Sequence, residues 1–246
     1  MSNPFSLTNK RILVTGASSG IGKAIAIESS KLGAKLVITG RDVNRLDETY
    51  SKLDGSDHLK VVCDICNTEE RNVLIDILPS LDGVVHNAGI NTKSLVKFIS
   101  KEKIDDIFNI NFYAPVLITQ ALIKKKKLNK KSSIVFISSI STFYASISNT
   151  LYASSKGAIN SFARSLALEL SPSKTRVNVI QPGVIETSIL ESYAMKDELN
   201  SFIDSIPLGG FGGPEDVAYG AIYLLSNASK FITGSVITID GGVTLR

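Results

Sequence analysis

Cysteine and histidine are scarce in this sequence, with two of each. Cys63 and Cys66 form a lone C-x-x-C, with neither a second pair nor a histidine at zinc-ligand spacing. A metal or redox centre is therefore not expected, and Cys63, which completes the apolar run Leu59, Val61, Val62, reads as a small buried hydrophobe. His58 and His86 sit in no nucleophile–base pattern, which argues against a Ser-His-Asp hydrolase. Long apolar runs are missing too, and Met1 to Arg11 shows no charged stretch leading into an apolar core. A cytoplasmic protein without a membrane segment is the expectation. Neither charge sign dominates: 27 Lys and Arg stand against 23 Asp and Glu, so nucleic-acid binding has no support from overall charge. The local exception is Lys124, Lys125, Lys126, Lys127, Lys130 and Lys131, crowded around Leu128 and Asn129. The cluster reads either as a solvated helix end, where cations complement the helix dipole, or as a landing site for an acidic partner.

What is present is a globular composition, 43% hydrophobic and 20% charged over 246 residues, enough for one large α/β domain. No internal repeat or domain boundary interrupts it. Lys10 to Thr15 reads as a buried strand because Ile12, Leu13 and Val14 run together without a polar face. It ends in Gly16-Ala17-Ser18-Ser19-Gly20-Ile21-Gly22, after which Ile21, Ala24, Ile25 and Leu32 recur at helical spacing. Strand, glycine-rich turn and helix are the arrangement that sets a pyrophosphate at a helix N-terminus. The spacing is G-x-x-x-G-x-G rather than G-x-G-x-x-G.

The second strand, Lys35 to Thr39, leads into Gly40-Arg41, where an acid would favour NAD and an arginine accommodates the 2′-phosphate of NADP. NADP(H) is the expected cofactor, with Ser18 and Ser19 as further donors and Asp42 partly cancelling the field of Arg41. Leu59 to Cys63 is a third strand, with Asp64 and Ile65 at its tip to meet the adenine edge. Asp82 to Asn87 is a fourth, followed by Ala88-Gly89, small enough for backbone to pass close to a ribose. A short helix around Thr68 to Leu78 lies between them, before Pro79. A helical stretch from about Lys101 to Lys127, interrupted near Ala114-Pro115, carries Asn111 on its inner part. Ile134 to Ser138, Val177 to Ile180 and Ser235 to Ile239 complete a doubly wound parallel seven-stranded sheet in a single α/β domain. Residues 1–130 form its cofactor half and 131–246 its catalytic half. Mixed polarity over 187–207 suggests a lid.

Ser139 closes the fifth strand, and Tyr152 and Lys156 follow four residues apart on a helix, hence on one face. A free tyrosine titrates near ~10, and lowering that by ~3 units takes roughly 4 kcal/mol of differential stabilisation, which a nearby ammonium helps supply. With Ser139 holding a substrate oxygen, the trio suits proton transfer to or from a carbonyl or hydroxyl. Taken alone, a Tyr–Lys pair at this spacing is better explained by a solvated helix face.

In order along the chain, Thr15-Gly16-x-x-x-Gly20-Ile21-Gly22, Asn87-Ala88-Gly89, Asn111, Ser139, Tyr152-x-x-x-Lys156 and Pro182-Gly183 resemble the short-chain dehydrogenase/reductase family, whose fold is Rossmann-like. The resemblance implies Tyr152 as general acid/base and Lys156 as the group that lowers its pKa and binds the nicotinamide ribose. It implies Ser139 as substrate positioner, Asn111 as support for a water relay, and Pro182, Gly183, Ile185 and Thr187 at the nicotinamide end. His86 stands where an asparagine is common before Asn-Ala-Gly, a change expected to be tolerated. Residues 206–212, 231–234 and 240–242 are similar to the 3-oxoacyl-[acyl-carrier-protein] reductase branch. That branch implies NADPH, a carrier-bound acyl substrate, an acidic acyl carrier protein docked by the lysine cluster with Lys174 and Arg176, and a homotetramer. Dehydrogenases of sugars and other small secondary alcohols share these motifs and remain the alternative. A non-catalytic dinucleotide-sensing module is a further one, against which the retained tyrosine and lysine argue.

Overall fold

The computed structural model describes residues 3–187 and 203–245. In β1 (Arg11–Thr15) the run Ile12, Leu13, Val14 is buried on both faces. Alternate residues serve different cores. Ile12 and Val14 pack with Leu36, Ile38, Val135 and Ile180 under one helical layer, while Leu13 packs with Val37, Val84, Ile134 and Val179 under the other. This is the period of two expected of strands covered on both sides.

β2 (Lys35–Gly40), β3 (Leu59–Val62), β4 (Leu81–His86), β5 (Leu128–Ile137), β6 (Arg176–Pro182) and β7 (Val236–Ile239) complete the sheet. Every neighbouring pair is parallel, in the order β3-β2-β1-β4-β5-β6-β7. The expected doubly wound, single-domain architecture is therefore observed. Strand order reverses between β1 and β4, and such a switch opens a crevice at the carboxyl ends of the strands.

Helices α1 (Gly20–Lys31) and α2 (Val43–Tyr50) follow β1 and β2; α3 (Thr68–Ile77) precedes β4. α4 (Lys101–Phe108) and α5 (Ala114–Lys124) precede β5, α6 (Thr150–Glu169) precedes β6, and α7 (Pro214–Leu225) precedes β7. α1 and α7 cover the first core; α3, α5 and α6 cover the second.

Three elements depart from the sequence reading. α2 was not anticipated, because eight residues with Leu46 as the main buried apolar side chain carry no stripe; Asp42 caps it, accepting from the Arg45 backbone N–H at 3.0 Å. The interruption between Lys101 and Lys127 is a π-helical turn at Asn109–Tyr113, and Pro115 merely sits in the first turn of α5. β5 begins at Leu128, so Lys130 and Lys131 stand on an exposed strand extension and not on a helix end. The expected lid at 187–207 lies outside the described residues except for Thr187 and residues 203–207. Among the described residues no helix is long and apolar enough to cross a membrane, and no cluster of His, Cys, Asp and Glu is arranged to hold a metal ion.

Candidate active site

The glycine turn closes β1 against β4. Gly16 has φ +64°, and a Cβ there would lie 2.8 Å from Ala88 Cα; a Cβ on Gly22 would lie 2.2 Å from the Gly16 carbonyl oxygen. Asn87 ties the two strand ends together, its Nδ2 donating to the carbonyls of Thr15 and Gly16 at 3.2 and 3.1 Å. Above this turn opens the N-terminus of α1. Ser19 makes no side-chain cap bond and the first turn holds no acid, in contrast to α3 with Glu69 and Glu70 and α7 with Glu215 and Asp216. The positive end of the helix dipole is thus left open, which suits the pyrophosphate of a dinucleotide.

Every site residue named from the sequence, except Gly22 and Asn111, lines one cavity of about 730 Å³ along the carboxyl ends of the strands. Gly22 lies beneath the turn. Asn111, in the π turn, lies behind the cavity wall: its Oδ1 accepts from Ile90 N–H at 2.9 Å, and its Nδ2 donates to the Ile90 carbonyl at 2.9 Å and Ser155 Oγ at 3.0 Å. Both amide protons are committed, so the side chain clamps the loop after β4 to α6. Any water relay it supports must use carbonyl oxygens.

At the adenosine end, Arg41 Nη1 stands 3.8 Å from Asp64 Oδ2. Asp42 does not cancel Arg41 as expected; it is held by Arg45, whose Nε donates to Asp42 Oδ2 at 2.8 Å. Arg41 is well exposed and keeps donors for a phosphate. Cys63 is buried and Cys66 exposed, both free. Burial pushes the Cys63 thiol up to about 11, well away from a reactive thiolate.

At the catalytic end, α6 is tied to the end of β5 by Ser138 and carries a local bond within its own turn from Ser155. Ser155 Oγ donates to the Tyr152 carbonyl at 2.8 Å and Ser138 Oγ to that of Lys156 at 3.2 Å. Lys156 is buried, and its Nζ donates to the Ile137 carbonyl at 2.9 Å and stands 5.8 Å from the centre of the Tyr152 ring. Its other two N–H groups have no acceptor among the described residues, as a site for ribose hydroxyls requires. Burial lowers Lys156 to about 8, leaving it an ammonium at neutral pH. Ser139 caps a short 3₁₀ turn and accepts from Ser141 N–H at 3.1 Å.

His86 points away from the cavity. It stacks on Phe136 at 4.8 Å between ring centres, and its Nε2 lies 2.9 Å from Thr119 Oγ1; burial drops it to about 3, so it is neutral. Sequence reasoning missed Asn91, Lys93, Ser141, Tyr144, Asn149 and Phe211, which also line the cavity. Of these only Ser141, in Ser139-x-Ser141, carried a signal; Asn149 at the start of a helix reads as a cap.

The lysine cluster lies at the opposite end of the sheet, at the start of β5 and the close of α5, about 30 Å from the strand tips at ~3.3 Å per residue. Lys125 pairs with Asp76, and Lys127 donates to the Asp76 and Leu78 carbonyls. Lys124, Lys126, Lys130 and Lys131 are exposed with no ion pair among the described residues. Arg176 does not extend this patch as expected: it turns inward, donating to Ser229 Oγ and to the carbonyls of Leu224, Ser226 and Ile232.

Fold and site together define an oxidoreductase built to bind a dinucleotide. The family model described as enoyl-(acyl carrier protein) reductase matches residues 16–244. The 3-oxoacyl-[acyl-carrier-protein] reductase FabG of Rickettsia prowazekii is 34% identical over 239 residues, covering 97% of this chain and 98% of its own. The L-xylulose reductase of Caenorhabditis elegans is 32% identical, covering 97% of both chains. A short-chain type dehydrogenase/reductase from Mycobacterium marinum superposes with a TM-score of 0.90 at 31% identity, covering 99% and 98% of the two chains. A proposed 2-deoxy-d-gluconate 3-dehydrogenase from Agrobacterium tumefaciens, solved with bound NADP, superposes with a TM-score of 0.90 at 30% identity over 100% of each. The chain belongs to the short-chain dehydrogenase/reductase family and is one of its oxidoreductases.

Proposed function

We propose that this protein is an NADP(H)-dependent reductase of a carbonyl, with 3-oxoacyl-[acyl-carrier-protein] as its substrate. The observation that carries the reaction is the convergence of Tyr152, Lys156 and Ser139 on the cavity that Arg41 flanks at its far end. Bound NADPH supplies the hydride. Tyr152 gives the proton to the carbonyl oxygen, the Lys156 ammonium favours the phenolate left behind, and Ser139 holds the oxygen in place. The opening of α1 would hold the pyrophosphate, Lys156 the ribose, and Arg41 with Ser18 the 2′-phosphate.

Similarity to the acyl-carrier-protein reductases supports the substrate. The four lysines without an ion pair among the described residues supply an electrostatic landing site for an acidic carrier. Because they face away from the cavity of their own chain, a carrier docked there serves the cavity of a neighbouring copy, in keeping with a homotetramer. Ile104, Tyr113, Leu117 and Ile123, exposed on α4, the π turn and α5, provide apolar surface for such packing. The proposed compartment is the cytoplasm.

A second reading, a dehydrogenase of sugars or related secondary alcohols, draws on the hydroxyl and amide groups of Ser141, Ser146, Asn149 and Asn91 around the catalytic end of the cavity. NADPH oxidation with a short 3-oxoacyl thioester, run beside NADH and repeated with the carrier-linked substrate, tests the first reading. A panel of sugars and polyols tests the second. Turnover that prefers NADPH and improves with the carrier upholds the proposal; turnover confined to polyols replaces it with the second reading.

A further inference from the structure

Asn149 stands directly before α6, in the N-cap position, where a carboxamide ordinarily accepts from the first helical N–H groups. It makes no such bond. Ser148 before it is held at φ +64°, a left-handed conformation that residues other than glycine seldom adopt. The side chain is instead buried, 7% exposed, and its Nδ2 donates to Ser141 Oγ at 3.0 Å. Ser141 Oγ lies 3.1 Å from Ser139 Oγ, from which it accepts, and Ser141 N–H donates to Ser139 Oγ at 3.1 Å. Both serines and Asn149 line the cavity.

An amide nitrogen has protons and no lone pair, so Ser141 Oγ is obliged to accept from Asn149. The Ser141 proton has no other acceptor among the described residues, and a hydroxyl rotates freely about its Cβ–Oγ bond. Before substrate enters, Ser139 gives its proton to Ser141. We propose that a carbonyl oxygen in the cavity reverses this contact, so that Asn149 N–H donates to Ser141, Ser141 O–H to Ser139, and Ser139 O–H to the substrate. In such a chain each bond polarises the next, strengthening Ser139 as a donor when negative charge gathers on the oxygen. Asn149 is thus a positioning residue that acts through Ser141: by donating to Ser141 it denies that hydroxyl an acceptor and leaves its proton free to turn to Ser139 once Ser139 donates to substrate. The inference rests on the carbonyl-reductase reading of this site.

The decisive variant is Asn149→Asp, which keeps the shape and replaces the donor with a carboxylate. Ser141 then gives its proton to the carboxylate and takes that of Ser139, leaving Ser139 an acceptor. The expected result is a kcat about 10- to 100-fold below the wild type at pH 8, less than the roughly 100- to 1000-fold cost of deleting an oxyanion donor outright because the effect is relayed through Ser141. The ratio to wild type should climb back as pH falls into the carboxylate range, with NADPH affinity measured by fluorescence unchanged. Ser141→Ala should cost about tenfold in kcat, Ser141→Thr should restore it, and adding Asn149→Asp to Ser141→Ala should cost nothing more. An Asn149→Asp protein with wild-type kcat and pH profile, beside an active wild type, overturns the inference and leaves the reductase reading standing; so does a loss that is independent of pH. A wild type that neither binds NADPH nor reduces any carbonyl tested removes that reading and this inference with it.

Discussion

Lys156 Nζ lies 5.8 Å from the centre of the Tyr152 ring and is anchored by the Ile137 carbonyl at 2.9 Å. The lysine is therefore fixed by the sheet, not by the tyrosine, and removing the tyrosine hydroxyl leaves the charge where it is. Tyr152→Phe should bind NADPH with near wild-type affinity while turnover falls by at least two orders of magnitude. Titration of cofactor fluorescence alongside a steady-state assay checks both halves; near-normal turnover would remove Tyr152 as the acid.

On the proposed mechanism, the same lysine should set an alkaline limit. Burial lowers it to about 8, so the ammonium is present below that pH and lost above it. Once neutral, it no longer favours the phenolate, and Tyr152 becomes a weaker acid. Carbonyl reduction should decline as pH rises through about 8, measured as kcat/KM so that the free enzyme is reported. A flat profile across the two pH units on either side of about 8 would separate Lys156 from the proton transfer.

The Arg41 guanidinium is bound to no carboxylate at hydrogen-bond distance among the described residues, the acid it pairs with standing 3.8 Å away at Asp64. Arg41→Ala should raise the KM for NADPH about 10- to 100-fold and leave that for NADH within about threefold, the size expected for a charge-assisted phosphate contact. Equal losses with both cofactors would show that Arg41 supports the loop and does not read the phosphate.

His86 gives a prediction about stability. Its folded pKa of about 3 lies below the ordinary 6.5, so the unfolded chain takes up the proton first as pH falls. The folding constant should drop by as much as tenfold per pH unit between about 6.5 and 3, with no contribution from this group above 6.5. His86→Asn removes that dependence, and urea unfolding of the two proteins at pH 7 and pH 5 measures it. Parallel pH dependence would assign the acid sensitivity to other groups.

Replacing Lys124, Lys126, Lys130 and Lys131 together by glutamate should leave turnover of a small thioester unchanged and abolish any advantage of the carrier-linked substrate. The patch lies far from the cavity and its lysines hold no ion pair among the described residues, so stability should change little. Loss of turnover with the small thioester would point to a structural role.

Strand cores such as Ile12-Leu13-Val14 and the glycine turn were legible in the sequence because burial on two faces and positive φ each leave a compositional mark. Tyr152 and Lys156 were legible because a helix converts spacing into a shared face. Tertiary pairings were not. That Asp42 answers Arg45 and not Arg41, and that Arg176 spends its protons on Leu224, Ser226, Ser229 and Ile232, depends on side-chain direction and on residues some fifty positions away. Asn149 was hidden for another reason: an asparagine before a helix has an ordinary explanation, and only the absent cap bond shows that it is not the right one.

The π turn at Asn109–Tyr113 carries one residue more than an α-helical turn would hold. Each residue advances a helix by about 100°, so α5 is rotated by that angle relative to an uninterrupted continuation of α4. Asn111 reaches Ile90 and Ser155 from within this widened turn, while Ile118 and Leu122 further along still meet the sheet. The segment therefore has a fixed phase: deleting a single residue there would swing either the clamp or the apolar face of α5 out of place, whereas the exposed turn at Lys125–Lys126 beyond it has no such phase to keep.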